Sequence, residues 1–494
     1  MNFFFKVNAG TNIGTGHLQR CINLAEGLKS KKNNIIFLIN ISSKNYIKKI
    51  KKKNFKVKVF KSNNFLLINA KKIFSNKLYN FLIIDDYSVN YRWESKIYNY
   101  VNKILVIDDF VDKNHYCDIY LNQNVINRKD IIYIKNKFSK QKCLLGPKYA
   151  LLDKNYNFFY KKKIEKLNLK RVLVSFGGSD KENFTNLVLE PLSKKKYLDL
   201  KIDVVLGKDY RYKNELKKKY KLNNNINIIR NLPSLAEKLH KANLSIGGGG
   251  STSWERLCLS KPAVVFCISK NQKKIINDLN KKNMIIYGGN LINFGSKKFE
   301  NLIDKIIVKY KNIFKRMEYG KTLVDGLGVY RVIENLIPSS TKKLHIIKAN
   351  KNNVYDYFNW VNEEKVRKNS FNKKKINFIN HKKWFFNQLY LKKKNLLYIL
   401  LINSLPVGQA RINISNKVAK IDYSIEKDFR GRGWGFILLN SVINKIKGKK
   451  INKIVGIVKK NNLLSAKIFQ KLNFKQINYS TKTIFFKNNN NSFN

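Results

Sequence analysis

Cysteine is scarce in this chain. The five present, Cys21, Cys117, Cys143, Cys258 and Cys267, are an odd number with no C-x-x-C pair. That argues against a disulfide framework or a cysteine-ligated zinc site and points to a reducing, cytoplasmic setting. Histidines also number five, and no His, Cys and acidic residues share metal-ligand spacing, so no metal is expected. No apolar run approaches the roughly 20 residues that span a bilayer, and no membrane partner is expected. The first residues read as a strand entering a glycine turn, without the charged segment, apolar core and cleavage site of a secretory signal. Acidic side chains are short too: 32 against 99 Lys+Arg, a formal charge of +67. Such a balance suggests nucleic acid, but the excess is nearly all lysine and runs through the whole length among abundant Asn and Ile. A nucleic-acid binder concentrates basic residues on one element and places Arg at reading positions. The pattern fits a codon-biased genome; no nucleic-acid partner is expected, and the charge would help attract anionic nucleotide substrates.

What is present suffices for real cores: 494 residues, 44% hydrophobic and 13% aromatic, or roughly three domains at about 150 residues each. The apolar run Phe3–Val7 enters Ile13-Gly14-Thr15-Gly16-His17-Leu18-Gln19-Arg20, and a stretch of helical apolar spacing follows from Cys21 to Leu28. Strand, glycine loop and helix in that order set the loop at the carboxyl end of a strand, where open α/β sheets bind ligands. His17 stands on that turn. Buried-strand runs recur at Ile35–Ile39, Phe81–Ile84 and Lys103–Ile107. Two of them end in paired acids on the same rim. Asp85-Asp86-Tyr87 is the site candidate, and Asp108-Asp109 is read as capping or loop solvation.

A second α/β unit opens at Arg171–Phe176, running into Gly177-Gly178-Ser179-Asp180, and continues with Ile202–Gly207. Its strand Ala242–Ile246 ends in Gly247-Gly248-Gly249-Gly250-Ser251-Thr252, followed by Glu255 in a helix's first turn. Glycines let a diphosphate approach the backbone, and Ser251 and Thr252 can cap the helix and donate to phosphate. Leu336–Thr341 reads as a linker. Beyond it, helical segments at Tyr355–Lys368 and Lys382–Leu391 precede closely spaced strands at Leu396–Ile402, Val407–Asn413 and Val418–Ile425, an antiparallel meander. Arg430-Gly431-Arg432-Gly433-Trp434-Gly435 then opens another helix, a second place for a pyrophosphate.

Residues 1 to about 335 resemble the UDP-sugar hydrolases of pseudaminic-acid biosynthesis, relatives of the GT-B glycosyltransferases. The likeness rests on Ile-Gly-x-Gly-His-x-x-Arg-Cys (13–21), Ile-Asp-Asp-Tyr (84–87), Leu-Leu-Gly-Pro-x-Tyr-Ala-Leu-Leu (144–152), Ser-Phe-Gly-Gly-Ser-Asp (175–180) and Gly-Gly-Ser-Thr-x-Trp-Glu-Arg (249–256). The resemblance implies release of UDP from UDP-2,4-diacetamido-2,4,6-trideoxy-β-L-altropyranose by inverting attack of water, with His17 as general base. It also implies that Asp86 and Tyr87 contact the sugar and that Asn183, Ser251, Thr252 and Glu255 hold the nucleotide. Gly14, Gly16, Arg20, Gly177, Gly178, Gly248 and Gly249 would lie on the loops around the substrate.

Residues from about 345 resemble the GNAT acetyltransferases, on Val366-Arg367, His381-x-x-Trp384-Phe385, the Arg430–Gly435 loop and the spacing from Asn462 to Phe474. That implies acetyl-CoA as co-substrate, held by Ile425, Arg430, Gly431, Gly433, Gly435 and Asn462, and acetyl transfer to a sugar 4-amino group. Tyr423-Ser424-Ile425 would lie beside the pantetheine arm. Phe469 stands where many GNATs carry a tyrosine general acid, and Asn473 replaces a glycine that takes left-handed geometry. The expected fold class is α/β, two Rossmann-like GT-B-type domains (1–160 and 161–337) followed by an α+β GNAT domain (345–486). Two rival readings share these motifs: a GT-B glycosyltransferase using a UDP-sugar donor, and a nucleotide-binding protein with a degenerate GNAT domain.

Overall fold

A computed structural model describes residues 1–8, 16–30, 32–41, 46–162, 168–178, 180–230, 232–269, 272–289, 295–337, 343–391, 394–447 and 450–488. The chain forms two compact units, Met1–Pro338 and Ser339–Asn494. Among the described residues no helix is long and apolar enough to cross a membrane.

The first unit holds two parallel sheets. One comprises β1 (Asn2–Val7), β2 (Asn34–Asn40), β3 (Lys56–Phe60), β4 (Asn80–Asp85), β5 (Lys103–Ile107), β6 (Ile119–Asn122) and β7 (Lys142–Leu145), in the order β3-β2-β1-β4-β5-β6-β7. Its central strands are continuous apolar runs because both faces are covered. Phe3, Phe5 and Val7 pack with Leu18, Leu24 and Leu28 of the helix Gly16–Leu28. Phe4, Leu82 and Ile84 turn the other way, toward Trp93 and Ile97. This alternation of side chains along a strand decides where the acids at the end of β4 point.

The other sheet comprises β8 (Arg171–Ser175), β9 (Lys201–Leu206), β10 (Ile226–Arg230), β11 (Leu244–Gly248), β12 (Ala263–Phe266) and β13 (Ile286–Gly289), in the order β10-β9-β8-β11-β12-β13. In each sheet the chain builds outward on one side and then crosses back, so β1/β4 and β8/β11 are the switch points where a crevice opens. The helix that carries His17 is the first element after β1, Asp85 ends β4, Gly177 follows β8, and the Gly248–Thr252 loop ends β11. The helix Gly328–Leu336 returns to the first sheet, where Val329, Val332 and Leu336 join its core. A Cβ at Gly27 would lie 2.5 Å from Val329, so glycine there lets the two helices meet.

The second unit is one sheet of β14 (Leu344–Lys348), β15 (Asn395–Ile402), β16 (Leu405–Ser415), β17 (Val418–Ile425), β18 (Lys453–Lys459), β19 (Lys475–Asn478) and β20 (Lys482–Asn488). The order is β14-β15-β16-β17-β18-β20-β19, antiparallel except for β17/β18. The chain is therefore mixed α/β, with two Rossmann-like parallel sheets and then a GNAT-like sheet. The helix expected over Tyr355–Lys368 is broken into Val354–Val361 and Glu364–Asn369. Asn362 stops the first by trading side-chain hydrogen bonds with the backbone of Ile376 (3.0 and 2.7 Å), and Glu363 restarts the chain by accepting from Lys365 N–H. The following helix, Phe378–Tyr390, begins earlier than expected, at an Asn377 cap. Most of the expected linker, 338–341, lies outside the described residues.

Candidate active site

His17 and Arg20 are one turn apart on the first helix and reach the same carboxylate. Asp85 Oδ1 accepts from His17 Nδ1 at 2.6 Å and from Arg20 Nη2 at 2.7 Å, while Asp85 Oδ2 accepts from Arg20 Nε at 2.6 Å. Arg20 Nη1 donates to both oxygens of Asp109 at 3.0 Å, and the Tyr87 hydroxyl donates to Asp109 Oδ2 at 2.7 Å. The Tyr87 ring meets His17 edge-on, with centroids 4.8 Å apart. Burial works to raise the Asp85 carboxyl, but Arg20 and His17 overcome it and hold the group well below the usual carboxylate range. Asp109 follows the same logic, its burial outweighed by Arg20. Burial and Asp109 push the Tyr87 phenol far up, so it keeps its proton. An ionised carboxylate only accepts hydrogen bonds, so the Asp85 contact calls for a proton on His17 Nδ1, an atom that Arg20 Nη2 also approaches at 3.0 Å; in the neutral ring that tautomer leaves Nε2 without a proton.

Of these groups His17, Arg20 and Asp109 line a cavity of about 660 Å³ between the two sheets of the first unit, while Asp85 and Tyr87 stand behind them, off the lining. Gly16, His17, Arg20 and Asp109 come from one side, and Gly177, Gly178, Gly248, Ser251 and Thr252 from the other. The two sides touch: a Cβ at Gly16 would lie 3.6 Å from Ser251 Oγ. Gly177 takes φ 93°, a left-handed turn that suits glycine, and Gly207 leaves room behind it, since a Cβ there would fall 2.0 Å from Gly178 O. The glycine strand end is braced by buried Arg256, whose Nη1 donates to Gly248 O at 2.8 Å and Nε to Ser245 Oγ at 3.0 Å. Gly249 N–H donates to Gln272 Oε1 at 3.0 Å. Lys274 and Asp130 form an ion pair at 2.9 Å across the cavity's lining. A volume of this size suits a ligand as large as a nucleotide sugar.

Several sequence expectations change. Asp86 does not face the cavity; its carboxylate is ion-paired with Lys6, both side chains 1% exposed. β-alternation is the reason: Lys6 registers with Ile84 and Val7 with Asp85, so Asp86 shares the Lys6 face and Asp85 the His17 face. Asp109 is not merely a loop acid, because it completes the Arg20 network, and Asp108 pairs with His115 at 2.9 Å. Asn183 sits at φ 53° with its Oδ1 accepting from the Tyr210 hydroxyl, and it is absent from the cavity lining. Asp180 instead holds the start of the helix Phe184–Leu192, through Phe184 and Thr185 N–H at 2.9 Å. Ser251 makes no side-chain cap on the helix Thr252–Cys258. Glu255 lies beside Tyr156 and Asp153, where burial pushes its carboxyl up to about 7, and it too is off the lining. Gly249 is packed against Ile276, at 2.4 Å from a built Cβ. Gly14 lies outside the described residues.

In the second unit, β17 and β18 pair only from Val418↔Lys453 to Ile421↔Gly456. Past that point β17 stays on β16 and β18 stays on β20, so two strand edges diverge and face each other unpaired. Ile425 ends β17, and Gly431 and Gly433 follow at φ 76° and 79° with open space at their Cβ positions. They lead into the helix Trp434–Ile446. Gly435 is required by contact, its Cβ position 2.9 Å from Ile468 and 3.2 Å from Tyr423. Arg430 is held by Glu363 at 2.6 Å and by Ile425 O at 2.9 Å, so the guanidinium is anchored beside the loop. Asn462 precedes the helix Leu463–Lys471. Asn473 takes φ 59°, the left-handed geometry expected of it. His381 Nε2 donates to Val354 O at 3.1 Å, and burial pushes the ring down to about 4, a core role.

Residues 343–475 match the family described as acetyltransferase (GNAT) domain, and residues 172–318 match the glycosyltransferase family 28 C-terminal domain. The chain joins a GT28-type domain to a GNAT domain. An uncharacterized protein of Methanocaldococcus jannaschii is 28% identical over 95% of this chain and 96% of its own length. The UDP-2,4-diacetamido-2,4,6-trideoxy-beta-L-altropyranose hydrolase of Campylobacter jejuni is 25% identical over 57% of this chain and 97% of its own. A solved ribosomal L7/L12 alpha-N-protein acetyltransferase in complex with coenzyme A is similar to 30% of this chain over 95% of its own, at 16% identity and TM-score 0.28. The GT28 match spans β8 to β13, which contribute Gly177 and Gly248, and the GNAT match spans the diverging strands. Among the described residues no group of three or more His, Cys, Asp or Glu could hold a metal ion. Sequence reasoning missed Asp109, Arg256 and Gln272. Strand parity could have found Asp85 as the partner of His17; Arg256 acts on the nearby Gly248 and Ser245 from within the quoted 249–256 motif, while Asp109 and Gln272 act through residues further away in the chain.

Proposed function

We propose that the first unit hydrolyses UDP-2,4-diacetamido-2,4,6-trideoxy-β-L-altropyranose at the anomeric C–O bond, and that the GNAT domain acetylates the 4-amino group of that sugar's precursor with acetyl-CoA. The observation that carries the first half is the Asp85–His17 pair on the rim of the cavity lined by Gly248, Ser251 and Thr252. His17 Nε2 takes a proton as water attacks the anomeric carbon from the side opposite UDP. The glycosidic bond breaks, UDP leaves with the electron pair, and the configuration inverts. Asp85 stabilises the imidazolium that forms, and Arg20 keeps Asp85 ionised. Backbone amides along Gly177–Gly178 and Gly250–Thr252 would receive the diphosphate charge, with Ser251 and Thr252 hydroxyls beside them. Tyr87, edge-on to His17 with its hydroxyl on Asp109, would hold both in place at the sugar's end of the cavity. The likeness to the Campylobacter hydrolase supports this reading.

For the GNAT domain, the diverging β17 and β18 edges and the Gly431–Gly435 turn support a place for the pantetheine and pyrophosphate of acetyl-CoA, with Ile425, Arg430 and Asn462 around it. Three domains follow, 1–160, 161–337 and 345–486. All five cysteines are free, which supports a reducing compartment, the cytoplasm. The GT28 match favours one alternative, a glycosyltransferase that delivers the sugar to an acceptor other than water. One experiment separates them: the protein is incubated with the UDP-4-amino sugar, with and without acetyl-CoA, and products are identified by mass spectrometry. The proposal expects UDP and free N-acetylated sugar with no added acceptor. UDP release that requires an acceptor sugar would establish the glycosyltransferase, and no acetylated product would remove the acetyltransferase step.

A further inference from the structure

Beside the slot between β17 and β18 stands a hydroxyl pair, Tyr423 and Ser465. Tyr423 is the second residue past the last β17/β18 pair, Ile421↔Gly456. Its ring turns toward the helix Trp434–Ile446, where the Cβ position of Gly435 lies 3.2 Å from Tyr423 Cε2. Its hydroxyl is 3.0 Å from Ser465 Oγ, in the first turn of the helix Leu463–Lys471. Phe469, one turn further along that helix, offers no donor. It is 2% exposed and stacked on Phe485 with centroids 5.2 Å apart, and it meets Tyr423 edge-on at 6.2 Å. Tyr423 and Ser465 are only half-buried, unlike Phe469.

We propose that the Tyr423 hydroxyl, oriented by Ser465, donates the hydrogen bond that stabilises the thiolate departing from the acetyl thioester. This rests on the acetyltransferase reading above. The acceptor nitrogen bonds to the acetyl carbon, the carbon–sulfur bond breaks, and sulfur leaves with the electron pair. The proton shed by the nitrogen ends on the sulfur through solvent, so no other reactant is needed. Burial pushes the Tyr423 phenol up to about 12, so it stays protonated at neutral pH. A thiol ionises near 8.5, so the phenol shares its proton with the thiolate without surrendering it. Ser465 can donate to the phenol oxygen, leaving the phenol hydrogen free to point into the slot.

The test uses the full chain and two variants, Tyr423→Phe and Ser465→Ala, with acetyl-CoA, the UDP-4-amino sugar and a thiol-release readout. Tyr423→Phe is expected to lower kcat roughly 10²-fold with KM for acetyl-CoA nearly unchanged, the low end of what a positioned proton donor supplies. Ser465→Ala is expected to lower it less, in the same direction. A second readout needs no turnover: CoA is bound and its thiolate followed by ultraviolet absorbance. The bound thiol should ionise about one pH unit higher in Tyr423→Phe than in the natural chain. Unchanged kcat and an unchanged thiol titration in Tyr423→Phe would overturn the assignment while leaving the acetyltransferase reading intact. A natural chain that binds CoA yet releases no thiol would overturn both. Calorimetric CoA affinity reports whether each variant is folded.

Discussion

Asp85 Oδ1 lies 2.6 Å from His17 Nδ1 and 2.7 Å from Arg20 Nη2, so one buried carboxylate oxygen orients the candidate base and is itself pinned by a guanidinium. The strand supplies the acid, the helix supplies the imidazole and the guanidinium, and the switch point between β1 and β4 brings them together. Each member is fixed by another, which is what a reacting group needs if it is to meet water in one geometry.

His17→Ala is therefore expected to lower UDP release by at least roughly 10²-fold. Thiol release by the GNAT domain should stay within about twofold. Asp85→Asn keeps the shape but lets the imidazole choose its tautomer, and kcat should fall at least about tenfold with a smaller change in KM. Coupled assays of UDP and thiol release check both. A His17→Ala chain releasing UDP at the natural rate would remove His17 from the base role.

A second histidine sets a pH dependence of stability. His115 Nδ1 meets Glu94 at 2.8 Å and Nε2 meets Asp108 at 2.9 Å, and only the doubly protonated ring can donate to both. Burial lowers its affinity for the proton, but the two carboxylates win and push it up to about 9. The folded value exceeds the unfolded one. The stabilisation is thus complete below about pH 6.5 and is lost as pH rises through about 9. Urea unfolding from pH 6 to pH 10 should show the natural chain losing on the order of 2–3 kcal/mol more than His115→Gln. Equal slopes would show that the ring is not charged in the folded state.

The parallel sheets were legible because their strands announce themselves. Phe3–Val7, Phe81–Ile84 and Lys103–Ile107 are apolar on both faces and end in glycine or acid, so element type and rim position followed from pattern alone. β3, Lys-Val-Lys-Val-Phe, gives no such signal because its edge position leaves most of it exposed. At the site, the pattern singled out His17, the glycine loops and Asp85-Asp86-Tyr87 together, and the family resemblance then carried Asp86 rather than Asp85. That choice needs the register of β4 against β1, which is a property of two strands rather than one. Asp109 was hidden for the same reason, since its partner Arg20 is 89 residues away. In the second unit, the break at Asn362 depends on its bonds to Ile376, again a nonlocal event.

Phe469 fills a site that leaves no slack. A Cβ at Gly456 would fall 2.3 Å from Phe469 Cζ, and the ring stacks against Phe485. Gly456→Ala should destabilise the second unit by about 1–3 kcal/mol through overpacking. Phe469→Ala should destabilise it by about 3–5 kcal/mol through the cavity it leaves. Calorimetric unfolding of the full chain reads both, and UDP release by the first unit should be unaffected. A neutral Gly456→Ala would mean that the ring moves aside freely.

The acids at 85 and 86 make the sharpest contrast, because adjacent residues are assigned opposite work. Lys6 and Asp86 face each other in the core behind β1, and Asp86 also accepts from the Ser88 hydroxyl at 2.6 Å. Burial pushes the Lys6 ammonium down while Asp86 counteracts it, so the pair is a mutual neutralisation away from the cavity. Removing one partner leaves an uncompensated buried charge, and Asp86→Asn should lose about 3–5 kcal/mol of stability. Replacing both, as Lys6→Met with Asp86→Leu, should recover most of that, because apolar side chains need no desolvation of charge. Neither change should move kcat for UDP release more than about threefold at a temperature where the variants are folded, since buried charge, not chemistry, is what is altered. A large kcat loss in the stable double variant would return Asp86 to the sugar site, and the β4 register would then have to differ from the one that places Asp85 on His17.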